Sequence, residues 1–167
     1  NSGKTSLLTV LRNFLGEKGG FKSYDLSLAH WPALRRLASV WEELADDPVT
    51  NSKELESWQA QLSTLLSCVP VVDLWFEASE GAYHHVEPFL TSLKWSGGPV
   101  GVRLRVEPAS TVEELQALAW SYREARNPVS NLDKKGHAWP IDLLDYWLRH
   151  TSDLRRITAY RLDPTKG

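Results

Sequence analysis

Methionine is absent from this chain of 167 residues, and cysteine occurs once, at Cys68. A lone thiol rules out an intrachain disulfide or a cysteine-based zinc site, and it agrees with a reducing, cytoplasmic setting. No run approaches the roughly 20 apolar residues that a membrane-spanning helix needs, and no signal-peptide pattern is present. Neither sign of charge dominates. A formal net charge of −2 gives no general reason to expect nucleic acid or an anionic membrane as partner. Internal repeats and low-complexity segments are also missing. The remainder is ordinary for a globular domain, 42% hydrophobic and 24% charged, with a length that suits one substantial core. Tryptophan is the exception. Its eight residues mostly fall at helix-periodic positions, which favours core packing over display.

Hydrophobic spacing sets out the elements. Residues 5–15 read as a helix stopped by Gly16, with Lys18-Gly19-Gly20 as the following turn. Residues 21–28 form a short extended candidate. Pro32 suits a first helical position, and Leu34, Leu37, Trp41 and Leu44 then line one face of an amphipathic helix. Leu55, Trp58, Leu62 and Leu65 repeat that stripe, so residues 32–66 are expected to form a helical pair joined across 48–50. The run at 71–76 is the most strand-like. Residues 79–95 stay ambiguous, because Pro88 would break a continuous helix. In 100–106, Val102, Leu104 and Val106 alternate with Arg103 and Arg105, a strand with one wet face. Ser110 with Glu113 has capping-box spacing ahead of the stripe Val112, Leu115, Ala119 and Tyr122. A polar loop over 127–138 leads to a helix opened by Pro140, and residues 157–162 are a last strand. Alternation of helix and strand predicts an α/β layered domain.

The chain opens Asn1-Ser2-Gly3-Lys4-Thr5-Ser6 and runs directly into Leu7, Leu8, Val10, Leu11 and Phe14. Backbone N–H groups at a helix start lack intrahelical partners and can cradle phosphate oxygens. Gly3 permits close approach of the main chain, Lys4 places a compact positive charge on β and γ phosphates, and the Thr5 hydroxyl can ligate Mg²⁺. This stretch resembles the second half of the Walker A loop of the P-loop NTPase superfamily, loosely its AAA and STAND ATPases or its GTPases. The resemblance covers residues 1–15. It implies a P-loop-type α/β domain with a mixed, mainly parallel sheet and the 32–66 helical pair inserted in it. Residues 1–167 would then be a single nucleotide-binding domain, expected as a fragment of a longer protein. Residues Asn1 to Ser6 would hold ATP or GTP, with Mg²⁺ on Thr5.

Hydrolysis in that superfamily also needs an acid near the end of an apolar strand. Asp73 is the candidate for metal and catalysis, with Glu77 beside it and Lys4 completing the catalytic set; Asp25 is the runner-up. Asp73 departs from the usual pattern, since it lies inside its apolar run and Leu74 follows it. The GTPase element Asp-x-x-Gly is absent, so guanine specificity is unsupported. Glu80, His84 and Glu87 share helical spacing, but Pro88 argues against a metal site there. The expected activity is Mg²⁺-dependent nucleoside triphosphate binding and hydrolysis in a regulatory or mechanochemical NTPase, working with a protein partner or further domains. The competing expectation is a non-catalytic interaction module whose Trp-rich helices bind a partner, with Gly-Lys-Thr incidental.

Overall fold

The computed structural model describes residues 2–16, 20–43, 52–92, 94–127 and 140–164. They form six α-helices and three strands: α1 (Ser2–Leu15), α2 (Trp31–Glu42), α3 (Ser52–Cys68), β1 (Val71–Ala78), α4 (Tyr83–Val86), β2 (Gly98–Val106), α5 (Val112–Arg126), α6 (Leu143–Arg149) and β3 (Ile157–Leu162). The chain divides into two compact units. One comprises residues 1–69 and 106–156, the other 70–105 and 157–167.

In the helical unit, α2 is the central element. Pro32 sits in its first turn, as its fixed φ favours, and Leu34, Leu37, Ala38 and Trp41 form its buried face. Helices α3, α5 and α6 all pack against α2 or each other. Trp41 is fully buried, and its indole Nε1–H donates to Gln61 Oε1 of α3 at 3.0 Å. Its ring meets Tyr122 of α5 edge-on, with centroids 6.2 Å apart. Tyr122 in turn donates its hydroxyl to Glu42 Oε1 at 2.9 Å. Burial, together with that carboxylate, pushes the Tyr122 phenol well above its ordinary range. Of the α3 stripe, Trp58 and Leu65 are buried, whereas Leu55 stays 40% exposed. Leu44 and the turn at 48–50 lie outside the described residues.

Local hydrogen bonds decide several ends. Helix α5 is capped by Thr111, whose side chain accepts from Glu114 N–H, one residue later than the Ser110–Glu113 spacing suggests. Ser110 still serves: its N–H and hydroxyl both donate to Glu114 Oε2 at 2.8 Å. Helix α6 starts after Asp142, whose carboxylate accepts from Asp145 N–H at 3.0 Å. Residues 21–28, expected to be extended, instead form two short 3₁₀ turns, Ser23–Asp25 and Leu28–His30. Asp25 Oδ2 accepts from Lys22 N–H, and Ser27 Oγ accepts from Ala29 N–H. These local bonds win over strand pairing, a competition that Ser and Asp commonly settle in favour of turns.

The second unit holds the sheet, and here the expected fold class is overturned. The sheet has three strands in the order β1-β2-β3 and is antiparallel, not the mainly parallel sheet of a layered P-loop-type domain. Asp73 faces Arg103 and Trp75 faces Gly101 across β1 and β2. The connections explain the direction. A parallel pair needs a crossover of a dozen or more residues, usually a helix. Between β1 and β2 the described residues form short turns, Glu80–Ala82, α4 and Glu87–Phe89, with no long crossover helix among them. Between β2 and β3 it passes through two helices, and Glu107 N–H donates to Arg156 O at 2.9 Å, so it returns beside the point where it left.

Alternation holds along the second half of β2: Val102, Leu104 and Val106 are buried, Arg103 is exposed and Arg105 intermediate, whereas Val100 and Gly101 are both buried. Gly101 is required by close approach. A Cβ there would lie 2.6 Å from Cζ3 of Trp75 and 2.8 Å from Cβ of Leu162. Gly101→Ala is therefore expected to destabilise by about 1–3 kcal/mol through overpacking. Trp41→Ala should cost about 3–5 kcal/mol by leaving a cavity. Leu8→Ala, at a position 66% exposed, should stay within about 0.5 kcal/mol. Urea unfolding of the three variants measures all of these.

Candidate functional site

Helix α1 spans Ser2–Leu15, with Gly3, Lys4 and Thr5 among its first described residues and no acidic residue beside them in that turn. The first N–H groups of any α-helix have no intrahelical acceptor, and the helix dipole adds partial positive charge at the same end. Fourteen residues give this helix a full set of aligned peptide units. Lys4 and Thr5 supply a cation and a hydroxyl adjacent in sequence there. Asn1 lies outside the described residues. Further along, Phe14 is buried and its ring meets Phe21 at 4.7 Å, which ties the helix end to its unit. Leu7, Leu8 and Leu15 are exposed, so the apolar run is only partly used in packing.

The acids chosen from sequence have other surroundings. Asp73 lies in mid-strand on the exposed face of β1 and is gripped by Arg103 in a bidentate pair, Nε to Oδ1 and Nη2 to Oδ2, both at 2.7 Å. That hydrogen-bonded guanidinium holds the Asp73 carboxyl below its ordinary range and raises Arg103 in return. Glu77 is exposed near the end of β1, opposite Pro99. Asp25 closes the turn described above. Residues 80–89 form short turns in place of one continuous helix, and His84 and His85 are exposed. Among the described residues no group of three His, Cys, Asp or Glu side chains could hold a metal ion. Cys68 is buried at the end of α3, and its thiol lies 3.9 Å from Ser67 Oγ.

The exposed sheet face was half legible. The outward positions of Arg103 and Arg105 follow from alternation, but their partners do not. Arg105 stacks on the Tyr160 ring at 4.8 Å and donates Nη2–H to its hydroxyl at 3.0 Å.

Charge is also organised at the start of α5. Arg156 Nη1 donates to Glu114 Oε1 at 2.6 Å, and Arg156 Nη2 donates to Ser110 Oγ at 2.9 Å. Arg156 first, and then the two Ser110 donors, hold the Glu114 carboxyl at about 2 against an ordinary 4.5.

No protein-family model matches the chain, and comparison with curated proteins and with solved structures gave no match either. No helix is long and apolar enough to cross a membrane among the described residues.

Because the folded-state value of Glu114 is depressed, its contribution to stability is complete above pH 4.5 and is lost as pH falls toward about 2. The pair is partly exposed, so solvent screening keeps the effect to about 1 kcal/mol. Urea titrations between pH about 6 and about 2 should show Glu114→Gln losing part of the acid-side slope seen in wild type.

Proposed function

We propose that the chain binds a nucleoside triphosphate with Mg²⁺ at the start of α1. The observation that carries this reading is the motif on its element: Gly3-Lys4-Thr5 lies at the head of the residues that form helix α1, Ser2–Leu15. Free backbone N–H groups would receive phosphate oxygens, Lys4 would neutralise the β and γ phosphates, and Thr5 would ligate the ion. Mg²⁺, when bound, supplies neutralisation of charge that develops on the transferred phosphoryl group. The reading concerns local chemistry at one helix end and requires no parallel sheet.

Hydrolysis in a regulatory or mechanochemical setting, with ATP or GTP as substrate and a protein partner or further domains as the coupled element, is the extended form of the proposal. Asp73 and Glu77 remain its candidate acids, and the Arg103 grip on Asp73 weighs against the first of them as a metal ligand. The interaction-module alternative draws less support, since Trp41, Trp58 and Trp147 are buried and Trp120 is the one described helix tryptophan that is exposed, at 37%.

Isothermal titration calorimetry with MgATP and MgGTP tests the reading. Lys4→Ala should weaken binding at least about a hundredfold without lowering thermal stability. Thr5→Ala should remove most of the Mg²⁺ dependence. Equal affinity of wild type and Lys4→Ala for both nucleotides would eliminate the proposal.

A further inference from the structure

Strand β1 stands at an edge of the sheet, with β2 as its one neighbour among the described residues. Its residues suit a different position. Val71-Val72-Asp73-Leu74-Trp75-Phe76 is a nearly continuous apolar run, the pattern of a strand covered on both faces. Val71 and Trp75, which share one face by alternation, are exposed, and so is Phe76 on the other. An edge strand also presents unpaired N–H and C=O groups along its outer side, and folded proteins commonly blunt such a row with lysine, proline or a bulge. Strand β1 has none of the three. Its sequence contains no Lys or Pro, and it pairs one for one with β2 from Val71 opposite Arg105 to Ala78 opposite Gly98.

The opposite edge is treated differently. Strand β3 carries Arg161, whose Nε–H donates to Pro88 O at 2.8 Å, and the turn Glu87–Phe89 packs against the strand. A charged side chain and a covering turn are two usual protections of an edge. In β1 the charged residues are two acids, and one of them, Asp73, is already held by the Arg103 fork of β2.

We propose that β1 pairs antiparallel with β1 of a second copy of this chain, centred on Leu74, so that two three-stranded sheets join into one continuous sheet. An extended strand is the structure whose backbone matches such an open row, and self-pairing about a two-fold axis makes each contact twice. With Leu74 opposite Leu74, Val72 meets Phe76, Asp73 meets Trp75 and Val71 meets Glu77. No like charges then face each other, and the exposed Val71, Trp75 and Phe76 all gain a cross-strand neighbour. Centring on Trp75 instead would set Asp73 opposite Glu77, and in-register parallel pairing would bring Glu77 beside Glu77; both arrangements are unfavourable. The strand is thus complementary to itself in a particular register, which favours a second copy over a foreign strand. The pairing uses no residue of α1 and does not depend on nucleotide binding.

Sedimentation equilibrium of the full chain from about 1 to about 100 µM is the test. The mass should rise from that of one chain to that of two and stop there. Amides within residues 71–77 should exchange more slowly as the dimer forms. Phe76→Lys alters an exposed side chain that faces Val72 of the second copy, and it should weaken the dimer about tenfold or more. Val71→Lys, also at an exposed position, places an ammonium opposite Glu77 of the second copy, and at low salt it should tighten the dimer about twofold or more. Four results would overturn the proposal: the mass of one chain at every concentration, as for an edge that takes a different protein; growth beyond two chains; a Phe76→Lys dimer as tight as wild type; or a Val71→Lys dimer no tighter than wild type. If thermal unfolding shows that Phe76→Lys fails to fold, Val71→Lys and the amide exchange decide.

Discussion

Burial of Trp41 is the constraint on which the helical unit depends. A fully enclosed indole leaves a polar N–H that must find an acceptor, and Gln61 of α3 provides it. The ring edge then fixes Tyr122 of α5, whose hydroxyl needs an acceptor in its turn and finds Glu42. Glu42 pairs with Arg126 at 3.2 Å, and Arg126 also donates to the carbonyls of Pro140 and Ile141, just ahead of α6. Each polar contact thus leads to the next helix. Apolar area supplies the driving force, and this chain of hydrogen bonds selects one arrangement of α2, α3, α5 and α6.

The sheet unit solves a different problem. Three strands leave one face to be kept wet without becoming adhesive, and planar side chains laid flat do this. Trp75 covers Gly101, Asp73 engages both sides of the Arg103 fork, and Tyr160 lies under the Arg105 guanidinium. Asp73 therefore has a local structural task, which accounts for an acid inside an otherwise apolar run. A sequence pattern that reads as a catalytic carboxylate can equally be one half of a cross-strand ion pair.

Legibility in the sequence followed the range of the interactions. The stripes Leu34-Leu37-Trp41 and Leu115-Ala119-Tyr122 were readable because one helix face is a local pattern, and all six are buried. The strands at 71–78, 98–106 and 157–162 were readable from apolar runs and alternation. Their mutual direction was partly readable: the wet faces of 100–106 and 157–162 suit edge or antiparallel positions, while the expectation of a mainly parallel sheet came from the resemblance and was wrong. The cap of α5 slipped by one residue since Ser110–Glu113 and Thr111–Glu114 have the same spacing, and only the backbone distinguishes them. Nothing local to Val71–Ala78 announced an edge position, which is set by the order of the strands.

The proposed nucleotide site rests on Gly3-Lys4-Thr5 in the first described residues of α1. The amides of that turn are the groups proposed to hold phosphate, and they can be watched one by one. In ¹⁵N–¹H correlation spectra of the full chain, addition of MgATP or MgGTP should shift the amide resonances of Gly3, Lys4, Thr5 and Ser6 progressively toward saturation, with the changes concentrated at these positions. Amides at residues 3–6 that stay unmoved at saturating concentrations of both nucleotides would contradict phosphate binding by this helix.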